Sequence, residues 1–253
     1  MKSRYRLTQN GRVTARLHIA PELRMFLPVS RRRAWQEVAP DGSSTLGHHV
    51  ESLGVPLTEV GPLVVGGRGV PPSHQLADGD VAEVHPVPRP QPLPDEPRFL
   101  LDVHLGTLAR RLRLLGLDTA YHNDMDDPSL VVQANAERRV LLTQDRGLLR
   151  RRALWLGAYV RGSDPADQLR DLLERFAPPL RPWTRCTACN GELGPAAKDE
   201  VAPLLREGTS RSYDAYGRCR DCGQVYWHGA HSGHLEEIVR LTHAWTARTA
   251  TCR

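Results

Sequence analysis

Three aspartates, Asp102, Asp124 and Asp145, each close a short apolar stretch, in FLLD, TAYHND and VLLTQD. Two cysteine pairs follow them, Cys186-Thr-Ala-Cys189 and Cys219-Arg-Asp-Cys222. Acids at the carboxyl ends of parallel strands converge on one crevice, because that is where an open α/β sheet exposes its site. A carboxylate on a rigid strand end suits a metal ligand, since coordination tolerates little positional slack. No thiol lies among these acids, and neither His104 nor His122 has a nucleophile beside it. The chemistry indicated is hydrolysis of a phosphoester by a divalent metal. Mg²⁺ or Mn²⁺ takes an oxygen shell of carboxylates, waters and substrate phosphate, which Asp102, Asp127 and Asp145 would supply with Asp124 beside them. Each acid also has a plainer use. Asp102 and Asp145 can cap the helices that follow, and Asp127 before Pro128, like Asp164 before Pro165, reads as an N-cap with proline first in the helix. Three successive strand ends, all aspartate, favour a shared site.

The two CxxC pairs are separated by 29 residues. Four thiolates so arranged can close a tetrahedral shell around Zn²⁺, with Cys186, Cys189, Cys219 and Cys222 as ligands. A closed shell leaves no open position, so this zinc is expected to be structural, holding a module too small to build a core alone. A redox pair is the alternative, but neither CxxC opens a helix in a thioredoxin-like context. His228, His231 and His234 could add a second metal or replace a ligand but read rather as surface or stacking residues, and Cys252 is assigned no role. Trp227 reads as minimal core, while Tyr226, Arg218 and Arg220 are candidates for contact with nucleic acid.

The elements that position these groups follow from periodicity. FLLD and TAYHND read as strands, with a helix between them carrying Leu105, Leu108, Leu112 and Leu115 and stopped by Gly116. A second helix is expected from Asp127-Pro128 to about Glu137, then a strand over Val140–Asp145, a helix from Arg146 to about Gly157, and a strand over Ala158–Gly162. An amphipathic helix bearing Leu169, Leu172, Leu173 and Phe176 starts after Asp164. Short strands alternating with helices predict a parallel sheet with helices on both faces.

Upstream, the alternation of Val13, Ala15, Leu17 and Ile19 predicts a strand, and residues 45–53 a helix capped by Ser44 or Thr45 and stopped by Gly54. A hairpin is expected at Gly66-Gly67 and a final strand at the end of LADGDVAEVH. This order reads as a β-grasp. The segment VGPLVVGGRGV with LADGDVAEVHPV resembles the ubiquitin-like sulfur carriers. Those act through a free terminal Gly-Gly, whereas here the chain runs on into Pro86, Pro88, Pro90, Pro92 and Pro94, a polyproline-type linker.

The stretch from FLLDVHLGTLARRLRLLGLDTAYHNDMDDPSL to LLTQDRGLLRRR, continued through the cysteine pairs to YWHGAHSGH, resembles the Mut-7 C-terminal RNase family, a PIN-like nuclease domain with a zinc ribbon, over about residues 97–240. The resemblance implies a metal-dependent ribonuclease. By position, Asp102 looks like its first-strand acid, Asp127 its helix-start acid and Asp145 the acid of its TQD element; the NDMDD cluster admits Asp124 or Asp126 as well. An N-terminal ubiquitin-like unit also occurs in that family. The expected fold is thus a β-grasp domain over 1–88, a linker over 89–97, a PIN-like α/β domain over 98–178 and a zinc ribbon over 183–250.

Of the 253 residues, 34 are Lys or Arg and 29 Asp or Glu, a net charge of +5, with lysine only at Lys2 and Lys198. An arginine surplus fits a polyanionic partner, RNA in particular, although codon bias yields the same surplus. Arg146, Arg111 and Arg150 are the candidate phosphate contacts, Arg146 foremost because it adjoins Asp145. The β-grasp unit is a candidate surface for a protein partner. No apolar run serves as a signal peptide and none nears the ~20 residues of a membrane span, so a cytoplasmic protein without membrane association is expected. The rival to a nuclease is a non-catalytic RNA-binding or adaptor protein whose acids only cap helices.

Overall fold

In the computed structural model the described residues are 14–205, 215–227 and 236–242. They form two compact units, one of residues 14–88 with 144–159, the other of residues 89–143 with the described residues from 160 on.

The first unit begins with strand β1 (Ala15–Ile19), whose Ala15, Leu17 and Ile19 are buried as the alternation predicts. Val13, the first residue of that pattern, lies outside the described residues. β2 (Trp35–Val38) pairs antiparallel with β1. Helix α1 (Leu46–Ser52) is capped by Thr45, whose hydroxyl accepts from the His48 amide, and ends before Gly54. β3 (Val60–Val65) and β4 (Arg68–Val70) form the hairpin, with Gly66 and Gly67 both at positive φ. β5 (Val81–Pro86) runs parallel to β1 and antiparallel to β3, giving the order β2-β1-β5-β3-β4. α1 and a short 3-10 turn (Pro21–Phe26) cover this sheet through Leu46, Val50, Leu23 and Phe26. The topology is the ubiquitin-like β-grasp.

The second unit opens on the proline-rich stretch, which is tied down. The Arg89 guanidinium pairs with Asp171 at 2.7 Å, and Gln91 accepts from the Arg175 guanidinium at 2.8 Å. β6 (Phe99–Leu101) lies between β7 (Thr119–Tyr121) and β8 (Val140–Thr143), parallel to both. All four residues of β8 are buried, the near-continuous apolar run of a central parallel strand. Between β6 and β7 come a 3-10 turn (Val103–Leu105) and helix α2 (Gly106–Leu114), closed by Gly116 at φ +81°. A Cβ on Gly116 would stand 2.0 Å from the Arg181 carbonyl oxygen, so this helix stop also admits a close backbone approach. α3 (Asp127–Ala136) joins β7 to β8.

Two expectations are corrected in these connections. The cap of α3 is Asp126, which accepts from the Ser129 amide, so Asp127 and Pro128 are the first two helical residues. Helix α4 is only four residues long (Arg146–Leu149) instead of reaching Gly157. Arg146 and Arg150 would be like charges one turn apart, and Arg151 and Arg152 extend the repulsion. β9 (Gly157–Tyr159) follows. Both α4 and β9 pack with the first unit, although the sequence pattern sets them within 98–178.

In the second unit the amide of Val160 donates to the Thr143 carbonyl at 3.0 Å. α5 (Pro165–Phe176) is capped by Asp164 as expected and buries Leu169, Leu172, Leu173 and Phe176; it packs on α2. β10 (Leu193–Ala196), α6 (Lys198–Val201), β11 (Tyr216–Cys219) and β12 (Val225–Trp227) complete a small module with an antiparallel sheet in that strand order. Its core is Val201, Tyr216 and Val225, with Trp227 packed against them. So small a core agrees with the expected need for a staple. Among the described residues no helix is long and apolar enough to cross a membrane.

Candidate active site and metal centre

The registers Leu101↔Tyr121 and Leu101↔Leu142 put Asp102, His122 and Thr143 at one level, each just past or at the carboxyl end of its strand. Asp102 is 8% exposed. Its Oδ1 accepts from the His104 amide at 3.0 Å and its Oδ2 from the Thr143 hydroxyl at 2.6 Å. A carboxylate has about four lone-pair positions, so two such bonds orient it and leave acceptor capacity toward a hard cation. Asp102 therefore caps its turn, and among the described residues it belongs to no group of three or more carboxylate or imidazole ligands gathered as the cysteine sulfurs are.

The other candidates are placed as follows. Asp124 is exposed just beyond β7, and Asp127 is half-buried at the start of α3. Asp145 is exposed in the first unit; its Oδ1 accepts from the Gly147 and Leu148 amides at 2.6 and 3.3 Å, capping α4. Asp126 is held below the usual carboxylate range by its hydrogen bonds with Ser129. Arg150 is exposed. Asp164 has its pKa lowered first by the Asp167 amide and least by the charge of Arg111. Arg146 stacks its guanidinium on Phe26 and Tyr159 within the first unit.

A cleft of about 720 Å³ in the second unit lies at the end of β7; Asp124 is among its walls, whereas Asp102 and Asp127 are not. Its walls include His122, Asn123 and Asp124 after β7, Arg110 on α2, and Gln224 and Tyr226 at the second cysteine pair. The His122 Nε2 atom is buried there without a hydrogen-bond partner among the described residues, a state that polar atoms reach only at a cost. Arg110 lies on the helix whose arginines suit phosphate contacts, whereas His122, Asn123 and Gln224 are not among the expected site residues. Gln224 lies about a hundred residues beyond His122 and Asn123 in sequence, and no local pattern links them.

The four cysteine sulfurs lie within 4.8 Å of one another and form the one group of metal-type ligands so gathered among the described residues. Cys186 and Cys222 are 3.7 Å apart, Cys189 and Cys219 3.4 Å. Sulfurs bound tetrahedrally to zinc at 2.3 Å would be about 3.8 Å apart, so the donor set and spacing fit Zn²⁺. The Tyr226 hydroxyl lies 3.1 Å from the Cys186 sulfur. Burial opposes ionisation of Cys186, but Tyr226 and the neighbouring amides outweigh it and bring the thiol down to about 7. Cys189, by contrast, is pushed up to about 12, chiefly by burial. His228, His231, His234 and Cys252 lie outside the described residues.

The first cysteine pair is built into the α/β layer. Arg113 is buried on α2 and donates to the carbonyls of Thr119, Thr187 and Ala188 at 2.8, 3.2 and 2.7 Å. Asn190 accepts from the Thr119 amide and donates to Asp118.

A ubiquitin-like unit, a parallel α/β layer with an aspartate at its strand ends, and a four-cysteine module define a modular protein. The chain belongs to the Mut7-C RNAse domain family: the model of that domain matches residues 97–239, and the model of the Mut7-C ubiquitin domain matches residues 12–92. Neither the curated proteins nor the solved structures contain a significant match.

Proposed function

We propose that this chain is a metal-dependent ribonuclease. In this reading Asp102 and Asp124 are acids of the site, Asp145 and Asp127 contribute as in the family pattern, and the four cysteines hold a structural zinc. The functional divisions are 1–88, 98–178 and 183–250. Mg²⁺ or Mn²⁺, when bound, would polarise the phosphoryl group and lower the pKa of the attacking water. Thr143 and the His104 amide orient Asp102 beforehand.

The observation that carries this reading is the cleft in which Asp124 shares walls with Arg110, His122, Asn123 and Gln224. An acid for a cation, a guanidinium for phosphate and amides for base edges make a groove suited to one nucleic-acid strand. Family membership supports a nucleic-acid substrate.

A second reading has its own support. Asp102, Asp126 and Asp145 each spend an oxygen on a helix or turn amide, as acids that only cap would do. The chain would then bind RNA without cutting it. Cleavage of single-stranded and structured RNA in Mg²⁺ or Mn²⁺, by wild type, Asp102→Asn, Asp124→Asn and Asp145→Asn, decides between them. The nuclease reading expects each variant to lose about a hundredfold or more in kcat/KM. Equal rates in all four proteins would leave the binding protein.

A further inference from the structure

We propose that the ubiquitin-like unit is the seat for residues 144–159 of the RNase-domain sequence, with Glu59 and Phe26 as positioning residues for Asp145. The inference rests on the nuclease reading for the role of Asp145, but the packing itself is independent of it.

α4 has four residues, too few for a helix to hold itself in water. It must be fixed from outside, and both ends of its segment are anchored within the first unit. At the start, Arg146 donates to the Phe26 carbonyl at 3.3 Å and lies over the rings of Phe26 and Tyr159, 5.5 and 6.0 Å from their centroids. At the end, the Tyr159 amide donates to Glu59 Oε1 at 2.8 Å, and the Tyr159 ring meets Phe26 edge-on at 5.1 Å. Tyr159 joins the β-grasp core.

Glu59 is the residue that the β-grasp fold alone does not explain. It is 1% exposed, and a carboxylate so buried is retained only where donors meet it. One of those donors belongs to residues 144–159. Phe26, 2% exposed, likewise offers the segment both its ring and its carbonyl. Asp145 stands next to Arg146 and caps the same short helix, so whatever holds Arg146 and Tyr159 sets where the Asp145 carboxylate sits. A ubiquitin-like domain used this way is a structural part of the enzyme.

The test compares full-length wild type, Glu59→Ala, Glu59→Gln and Arg146→Met by amide hydrogen exchange and by RNA cleavage. Glu59→Ala should speed exchange of the Gly147, Leu148 and Tyr159 amides about tenfold or more while β1 and β5 keep their protection. It should lower kcat about tenfold with KM within about twofold, as expected for a displaced catalytic group. Glu59→Gln, which keeps an acceptor oxygen, should recover both. Arg146→Met removes the ring stacking without emptying the core and should loosen the same amides. Wild-type exchange across 146–159 in both Glu59→Ala and Arg146→Met would overturn the seat. Failure of the nuclease reading would show separately, as identical cleavage by wild type, Asp102→Asn, Asp124→Asn and Asp145→Asn.

Discussion

The hydroxyl of Thr143 donates to Oδ2 of Asp102 at 2.6 Å, so the last residue of β8 holds the acid that follows β6. Thr143 is fully buried and Asp102 nearly so. Thr143→Val keeps the shape and deletes the donor. A buried hydrogen bond to a charged group is worth about 1.5–3 kcal/mol, and stability measured by urea unfolding should fall by that order. The concentration of Mn²⁺ needed for half-maximal cleavage should rise, because Asp102 is no longer held in one orientation. Unchanged stability and metal dependence together would remove Thr143 from the site.

Zinc content is expected to be one ion per chain, measured by atomic absorption, and to be lost in Cys186→Ser. Because Arg113 and Asn190 bond the first cysteine loop to the α/β layer, stripping the ion with a chelator should lower the melting temperature of that layer as well as of the ribbon. Loss of zinc with the α/β transition unmoved would mean that these bonds do not couple the two.

Acid stability should reflect Asp118. Burial raises its pKa, but hydrogen bonds from Arg139 and Asn190 and the charges of Arg139 and Arg185 outweigh this and leave it below the usual carboxylate value. A group depressed in the folded state adds stability that is complete above its unfolded pKa, about 3.9, and is lost as pH falls through the folded value. Asp118→Asn should therefore cost about 1–3 kcal/mol at pH 7, leaving Arg139 with Glu137, and should flatten the stability profile below pH 4. Parallel acid-unfolding curves for variant and wild type would show that another group governs that limb.

Arg110 and Arg111 are adjacent in sequence but meet different neighbours, the first lining the cleft and the second near Asp164. Arg110→Ala should weaken binding of single-stranded RNA and reduce the slope of log affinity against log salt by about 0.7, one phosphate contact. Arg111→Ala should leave that slope as it is. The opposite pattern, read by fluorescence anisotropy across a salt series, would move the phosphate path to the other side of α2.

Much of this molecule is legible in local pattern. The alternation at Ala15, Leu17 and Ile19, the Gly66-Gly67 turn, the stripe of Leu108 and Leu112 and the Asp164 cap all express short-range rules of side-chain direction and backbone freedom. The length of α4 was not legible, because like charges at Arg146 and Arg150 weaken a longer helix by only a few tenths of a kcal/mol, and the contacts of Arg146 with Phe26 and Tyr159 lie far off in sequence or are set only by the fold. The cap of α3 was misread by one residue, since two adjacent aspartates satisfy the same rule and only the backbone chooses Asp126.

By itself the chain's sequence determined the ubiquitin-like and α/β elements, the four zinc-type ligands and the aspartates that strand ends would carry, because each depends on residue type and spacing over a few turns. Only the tertiary structure decided that Thr143 holds Asp102, that Arg113 binds the cysteine loop, that Arg110 and not Arg111 enters the cleft, and that Arg146 packs on Phe26. Those pairings join residues up to 120 positions apart, and the free energy that selects them comes from burying polar groups with partners, which no local pattern encodes.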